Sequence, residues 1–302
     1  MQKDLLKGTH PYTNSTMLFI RSGKTRGRNR HSQKWLLTLL MVGLVLVLDY
    51  PIFTVFLNAF RSTTEIISTT SIIPQHPTLA NFVYLNDHTN FWGFFTSSIT
   101  VAILGTILSI VCAAAAGYAL SRYHFLRFVR TYSRVLMLVQ MFPLILALIP
   151  LFIIFKNAGL INTYWSVIFV YIVLNLPFAT WMFEGFFDAI PRELEEAAYV
   201  DGCSRFQSLR KIVLPLSGPG TAAVTIFTFL LCYNEYLIAS IFLRDPDTMT
   251  IPVGIQMFMQ QYSTDWGSLM AAACLASVPT IIFFLFVQKY MVKGIVSGAV
   301  KG

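Results

Sequence analysis

Six apolar runs, at residues 35–57, 92–120, 133–155, 163–183, 219–243 and 268–291, are each long enough to cross a bilayer core of about 30 Å. Hydrocarbon offers the backbone no water to bond with, so runs of this kind must satisfy their N–H and C=O groups internally, as helices. The expected fold class is an all-α integral membrane protein with six transmembrane helices. Composition points the same way: 55% of the chain is apolar and only 12% charged, about half the charged share of a soluble domain.

The formal charge of +8 raises the question of nucleic acid. Its distribution excludes it, because the basic residues alternate with the apolar runs instead of forming one stripe. Residues 1–34 carry Lys3, Lys7, Arg21, Lys24, Arg26, Arg28, Arg30 and Lys34 against a single acid, Asp4. A cleavable signal peptide is the alternative reading of this end, but the basic region is too long and the next apolar run too extended. The expected organisation is a basic cytoplasmic tail, 1–34, followed by a six-span domain over 35–302 with its core at 92–291. With six spans, the tail, the second-to-third connection (Arg122, Arg127, Arg130, Arg134), the fourth-to-fifth connection (Arg192, Arg205, Arg210, Lys211) and the C-terminal end (Lys289, Lys293, Lys301) fall on one side. These hold nineteen of the 22 Lys and Arg residues, and the other side only Arg61, Lys156 and Arg244. The positive-inside rule then puts both termini and the fourth-to-fifth connection in the cytoplasm.

That connection is polar yet reads as ordered. Pro191 can open a helix, where its missing N–H costs nothing. Arg192 to Asp201 are good helix formers, with Glu193, Glu195 and Glu196 at the positive end of the helix dipole. Gly202 supplies a left-handed stop. Ser204 can cap a second helix in which Phe206, Leu209, Ile212 and Val213 recur at helical spacing until Pro215 ends it.

Glu196-Ala197-Ala198, three residues, Gly202, nine residues and Ile212-x-Leu214-Pro215 resemble the EAA loop of ABC importer permeases, the membrane subunits of binding-protein-dependent uptake systems. The endings Gly117-Tyr118-Ala119-Leu120-Ser121-Arg122 and Gln288 to Gly302, and the stretches Leu174 to Trp181 and Ala239 to Asp245, are similar to the smaller membrane subunits of maltose-type carbohydrate importers. The resemblance implies a permease subunit, in the bacterial inner membrane, that translocates a sugar or glycoside and has no ATPase site of its own. The EAA segment would be a coupling helix between spans four and five, with Glu195, Glu196, Ala197, Ala198, Asp201, Gly202, Leu214 and Pro215 at the ATPase. The tail Gly298, Ala299, Val300, Lys301 and Gly302 would also reach the ATPase. The implied partners are a homologous second permease subunit, two ABC ATPase subunits, an extracytoplasmic sugar-binding protein and the lipid bilayer. In that family the binding protein normally selects the sugar.

No Gly-x-x-x-x-Gly-Lys-Ser/Thr occurs in the chain, so nothing here cradles nucleotide phosphates in the P-loop manner. ATP and Mg are expected on the partner ATPase, with no cofactor or metal on this chain. Cys112, Cys203, Cys232 and Cys274 and the five histidines, in tails and loops, have no ligand spacing. No converging nucleophile and base are found, which removes an enzyme reading.

Within the spans, Tyr233-Asn234-Glu235-Tyr236 interrupts an otherwise apolar run. Together with Asn175 it forms the expected substrate path, since polar groups exchange hydrogen bonds with hydroxyls and aromatic faces stack on sugar rings. The competing reading is an interhelical hydrogen-bond cluster. Asp49-Tyr50-Pro51 breaks the first run near its outer end, and Glu235 with Asp49 could serve an ion-coupled secondary transporter instead. Pro143, Pro150 and Pro177 predict kinks. Ala113 to Gly117 predict close helix packing. The segment 58–90, too short for a domain, is expected to form outer surface where a binding protein lands.

Overall fold

The computed structural model describes the backbone of residues 27–259 and 264–299, and the side chains of 34–259 and 264–286. Among the described residues the fold is helical, with one isolated bridge between Met259 and Thr264. The chain divides into two compact units at Pro51 and Ile52. Helix α1, Gly27–Asn58, runs continuously through Pro51.

Four helices are long and apolar enough to cross a membrane: α1 from Lys34, α4 (Phe91–Tyr123), α7 (Tyr164–Asp188) and the first part of α14 (Trp266–Ala299). Two more spans arise only if bent pairs are each counted as one. The third apolar run is such a pair: α5 (Arg127–Met141) and α6 (Leu144–Asn157) meet at 97°. The cause is Pro143, which forces the residue before it out of the helical region; Phe142 sits at φ −75°, ψ 125°. Pro150 and Pro177, by contrast, lie inside helices. The second pair is Arg205–Leu216 with Gly218–Tyr233, meeting at 86°; the fifth run is broken again farther along. Helix α11, Gly218–Tyr233, stops at Asn234, and a short α12, Leu237–Phe242, follows.

Helix α4 packs along α7, and α11 lies against α4, α7 and α14. One core cluster joins Val101, Val167, Ile168, Tyr171, Phe229 and Phe242. A second, toward the other end of α4 and α7, joins Ala113, Ala114, Tyr118, Ala179, Phe183 and Phe187. Small side chains set the α4–α7 distance there, as the alanine-rich stretch predicts. At Gly117 a Cβ would lie 2.6 Å from Phe183 Cβ and 2.9 Å from the Thr180 carbonyl oxygen.

The segment 58–90 is ordered. It forms α2 (Thr63–Ser68) and α3 (Ala80–His88), organised by Arg61. Arg61 Nε donates to Glu65 Oε1 at 3.0 Å, with both side chains buried. Its Nη1 reaches Asn58 Oδ1 at 2.9 Å. Asn81 Nδ2 donates to the carbonyls of Ala59 and Arg61. The segment is tied to α14 through Thr63, whose hydroxyl donates to Asp265 and accepts from the Gly267 N–H.

Two predictions follow from this packing. Gly117→Ala should push α4 and α7 apart at a cost of about 1–3 kcal/mol, lowering the unfolding temperature in detergent; an unchanged transition would show that the contact has slack. The second concerns Glu65, whose carboxyl is held below its ordinary value of 4.5 by the Gln75 backbone N–H, against the upward push of burial, and with help from Arg61. A depressed carboxylate stabilises above its ordinary value and loses that contribution as pH falls through its own. Amide-exchange protection of residues 61–85 should therefore hold at neutral pH and fall below about pH 4.5. Glu65→Gln should remove that dependence, and an identical pH profile would count against it.

Candidate functional site

The polar connection after α7 folds as a helix, a glycine turn and a second helical segment. Helix α8 spans Glu193–Val200 and begins at Arg192 as N-cap, two residues later than an opening at Pro191 would place it. Three glutamates occupy its first turn, where the dipole favours negative charge. Gly202 has φ +84°, a conformation that L side chains rarely adopt, which is why glycine stands there. Ser204 accepts from the Gln207 N–H and Gln207 Oε1 accepts from the Ser204 N–H, a complete capping box.

The second segment departs from the expected helix. It comprises α9 (Arg205–Ser208), a π-helical turn over Leu209–Val213, and α10 (Leu214–Leu216). Pro215 lies inside it and does not end it. The Leu214 N–H reaches back five residues to the Leu209 carbonyl, and the widened turn makes room for a ring that would clash in a regular helix. Leu209 and Val213 are buried as the periodicity predicts, but Phe206 is 70% exposed.

Inward and outward faces of α8 divide the motif residues. Glu195 and Ala198 are buried. Glu196, Ala197, Asp201 and Gly202 are exposed; beyond them Leu214 is half-buried and Pro215 exposed. Glu195 therefore does not share the outer face with Glu196. Leu194 and Val200, not among the expected site residues, stand exposed beside Ala197 at three-residue spacing. Apolar residues at that spacing in a charged helix are the signal that locates them.

Glu195 is the centre of a buried network. Its Oε1 accepts from Arg122 Nε at 2.6 Å. Its Oε2 accepts from Tyr118 Oη at 2.5 Å, with the hydroxyls of Tyr199 and Ser208 each at 3.4 Å. Arg122, the last basic residue of α4, spends its other donors on the carbonyls of Phe187 and Ile190, just where α7 ends, and on Ser121 Oγ. The Phe187 carbonyl also accepts the Ile190 N–H at 3.0 Å, so the guanidinium reinforces the turn that closes α7. Arg192 donates to the Ser121 carbonyl at 3.0 Å. Arg205 stacks over Tyr123 and Tyr199, 5.1 and 6.0 Å from the ring centroids.

The expected substrate-path residues are divided too. The Glu235 carboxylate accepts from Tyr171 Oη at 3.0 Å, Ile238 N at 2.8 Å and Ala239 N at 3.1 Å. It thus caps the first turn of α12 at the break in the fifth run. Asn175 Nδ2 donates to the Tyr171 carbonyl and to Cys232 Sγ, and Tyr233 Oη to the Ala276 carbonyl of α14. These three belong to an interhelical hydrogen-bond cluster. Asn234 and Tyr236 alone of the five are exposed. Asn234 borders a cleft of about 460 Å³ with Pro252, Ala273, Ser277 and Thr280. Among the expected tail contacts, Gly298 and Ala299 close α14, and Val300, Lys301 and Gly302 lie outside the described residues.

A profile of the family described as binding-protein-dependent transport system inner membrane component matches residues 105–297. The diacetylchitobiose uptake system permease DasC of Streptomyces coelicolor is 33% identical over 264 residues, 87% of this chain and 94% of that protein. The trehalose/maltose permease MalG of Thermococcus litoralis is 36% identical over 234 residues, 76% of this chain and 84% of that protein. In fold, the chain superposes on a subunit of a bacterial ABC transporter involved in alginate import with a TM-score of 0.75 at 20% identity, covering 87% of this chain and 98% of that one. The apolar helices, the glycine-turned segment after α7 and these likenesses lead to one conclusion: this multi-pass membrane protein belongs to the inner-membrane permease components of binding-protein-dependent ABC transport systems.

Proposed function

We propose that the chain is the permease subunit of an ABC importer for a sugar or glycoside, with α8 as its cytoplasmic coupling helix. The observation that carries this reading is the exposed face of α8 and its turn: Leu194, Glu196, Ala197, Val200, Asp201 and Gly202 are turned outward from a helix whose other face is anchored. Small and apolar groups permit close docking, Glu196 adds a directional charge, and the anchored face keeps the docking surface rigid. The sugar class rests on relatives named for diacetylchitobiose, arabinooligosaccharides and trehalose/maltose. Six spans are counted by taking each bent pair as one, and the bias of basic residues puts α8 and both termini in the cytoplasm.

In this reading ATP and Mg are held by two partner ATPase subunits, and the path is completed by a homologous second permease. An extracytoplasmic binding protein delivers the solute, as a solved alginate transporter carries a pentasaccharide-bound periplasmic protein. Closure of the ATPase dimer displaces α8 and rocks the spans. Contacts that differ between inward- and outward-facing states do the coupling, since a contact equally good in both shifts nothing. Along the path, Asn234 and Tyr236 are the exposed groups of this chain; Asn234 Nδ2 donates to the Leu230 carbonyl and Tyr236 Oη to Gln256 Oε1, which leaves the Asn234 amide oxygen and the Tyr236 hydroxyl lone pairs to accept from hydroxyls. Glu235, engaged by three donors, does not suit a proton relay, so an ion-coupled mechanism is not favoured. The tail Gly298–Gly302 is assigned to a further ATPase contact.

Affinity purification of the tagged full-length chain from its native membrane should recover a P-loop ATPase and a second permease. Recovery of the chain alone, with uptake that survives ATP depletion but not an ionophore, would overturn the assignment. Gly202→Val should insert normally yet lose ATP-dependent uptake. A Cβ at this position meets no atom within 4 Å, so the effect comes from left-handed strain of about 1–2 kcal/mol and added bulk on the docking face. Unimpaired uptake by this variant would remove Gly202 from the coupling surface.

A further inference from the structure

We propose that the Arg122–Glu195 pair is a strut that makes α8 move as one body with α4 and α7, so that both residues are positioning residues for coupling and not ATPase contacts. The proposal rests on the reading of α8 as the coupling helix. Glu195 is 3% exposed, and every bond its carboxylate makes is directed into the bundle: to Arg122 and Tyr118 of α4, to Tyr199 of α8 itself, and to Ser208 beyond the glycine turn. It has no free oxygen surface to offer another subunit. Arg122, 8% exposed, simultaneously holds the carbonyls that finish α7. One guanidinium therefore joins α4, α7 and α8.

The two long helices so joined have no slack between them. Gly117 sits one helical turn before the strut, and even a methyl group there would overlap Phe183. A force on α8 is accordingly delivered to α4 and α7 together, not absorbed in the connection. Helix α7 carries it on. Seventeen residues back from its end, roughly 25 Å along the axis at 1.5 Å per residue, Tyr171 holds Glu235 at the break between α11 and α12. The strut thus stands at one end of a rod whose opposite third contacts the interrupted fifth span.

The test is a distance measurement in the assembled importer, purified with its own ATPase and second permease. Cys112 of α4 is exposed, Cys232 and Cys274 are buried, and Val200 at the end of α8 is 89% exposed. Spin labels at Cys112 and at Val200→Cys, with Cys203→Ser, report the α4–α8 separation without nucleotide and after trapping with ATP and vanadate. With the strut intact, trapping should leave this distance unchanged. Glu195→Gln should still hydrolyse ATP, but trapping should shift or broaden the distance by several ångström. Glu196→Gln, on the outer face, should weaken recovery of the ATPase and leave the distance fixed. Should Glu195→Gln fail to accumulate, Tyr118→Phe removes one bond to the same carboxylate and should give the same nucleotide-dependent shift, smaller in size. A shift in the unmodified strut, or a distance as fixed in the Glu195 or Tyr118 variant as in the parent, would overturn the proposal. Failure to recover any ATPase with the unmodified chain is a different result, which removes the coupling-helix reading itself.

Discussion

The buried ion pair between Arg122 and Glu195 is the interaction on which the junction of α4, α7 and α8 depends. Taking two charges from water costs several kcal/mol per ion, and the attraction between them repays it only when the remaining donors and acceptors are also satisfied. Here they are. The carboxylate receives hydroxyl donors as well as the guanidinium, and the guanidinium donates to the carbonyls of Phe187 and Ile190 at the close of α7. A planar fork is needed for this, because Nε and Nη2 must point at different elements in fixed directions; an ammonium would offer a point charge. Breaking such a pair by removing one partner leaves an unpaired buried charge, generally about 3–5 kcal/mol. The arrangement is costly to assemble and costly to disturb, which suits a joint between a surface helix and the bundle.

The same requirement explains where the spans are broken. In hydrocarbon an interrupted helix is tolerated only where its freed backbone groups find partners or line a cavity. At Asn234 the interruption is sealed from below by Glu235, which supplies two acceptors to the N–H groups that begin α12 and a third contact to Tyr171. At Phe142 the bend follows from proline geometry and leaves α5 and α6 almost at right angles. The segment 58–90 obeys the rule too, since Asn81 and Arg61 donate to the carbonyls of Ala59, Arg61 and Glu65, and the Glu65 carboxylate accepts the Gln75 N–H.

Much of the architecture was legible because it depends on local chemistry. The apolar runs mark α4, α7 and α14 to within a few residues for α4 and α7, and Gly202 and Ser204 mark the turn and the second start between α8 and α9. Local chemistry also misleads in identifiable places. Phe206 shares the spacing of Leu209 and Val213 but points outward, because the buried face of this segment is centred on Ser208, Leu209 and Val213. The adjacent glutamates of α8 look equivalent in the sequence, yet one is buried against Arg122 and the next is exposed. Arg61 reads as one outer-loop charge, although it organises α2 and its surroundings.

What the sequence determined by itself is the solvent, the helical class and the positions of turns and caps, since these follow from hydropathy, φ preferences and hydrogen bonds a few residues apart. Tertiary structure alone decided which glutamate anchors α8 and which is presented, and that Glu235 caps the helix that follows the break in the fifth run. The reason is physical: a carboxylate is neutralised by whatever donor stands beside it in space, and Arg122 and Tyr171 are more than 60 residues away along the chain.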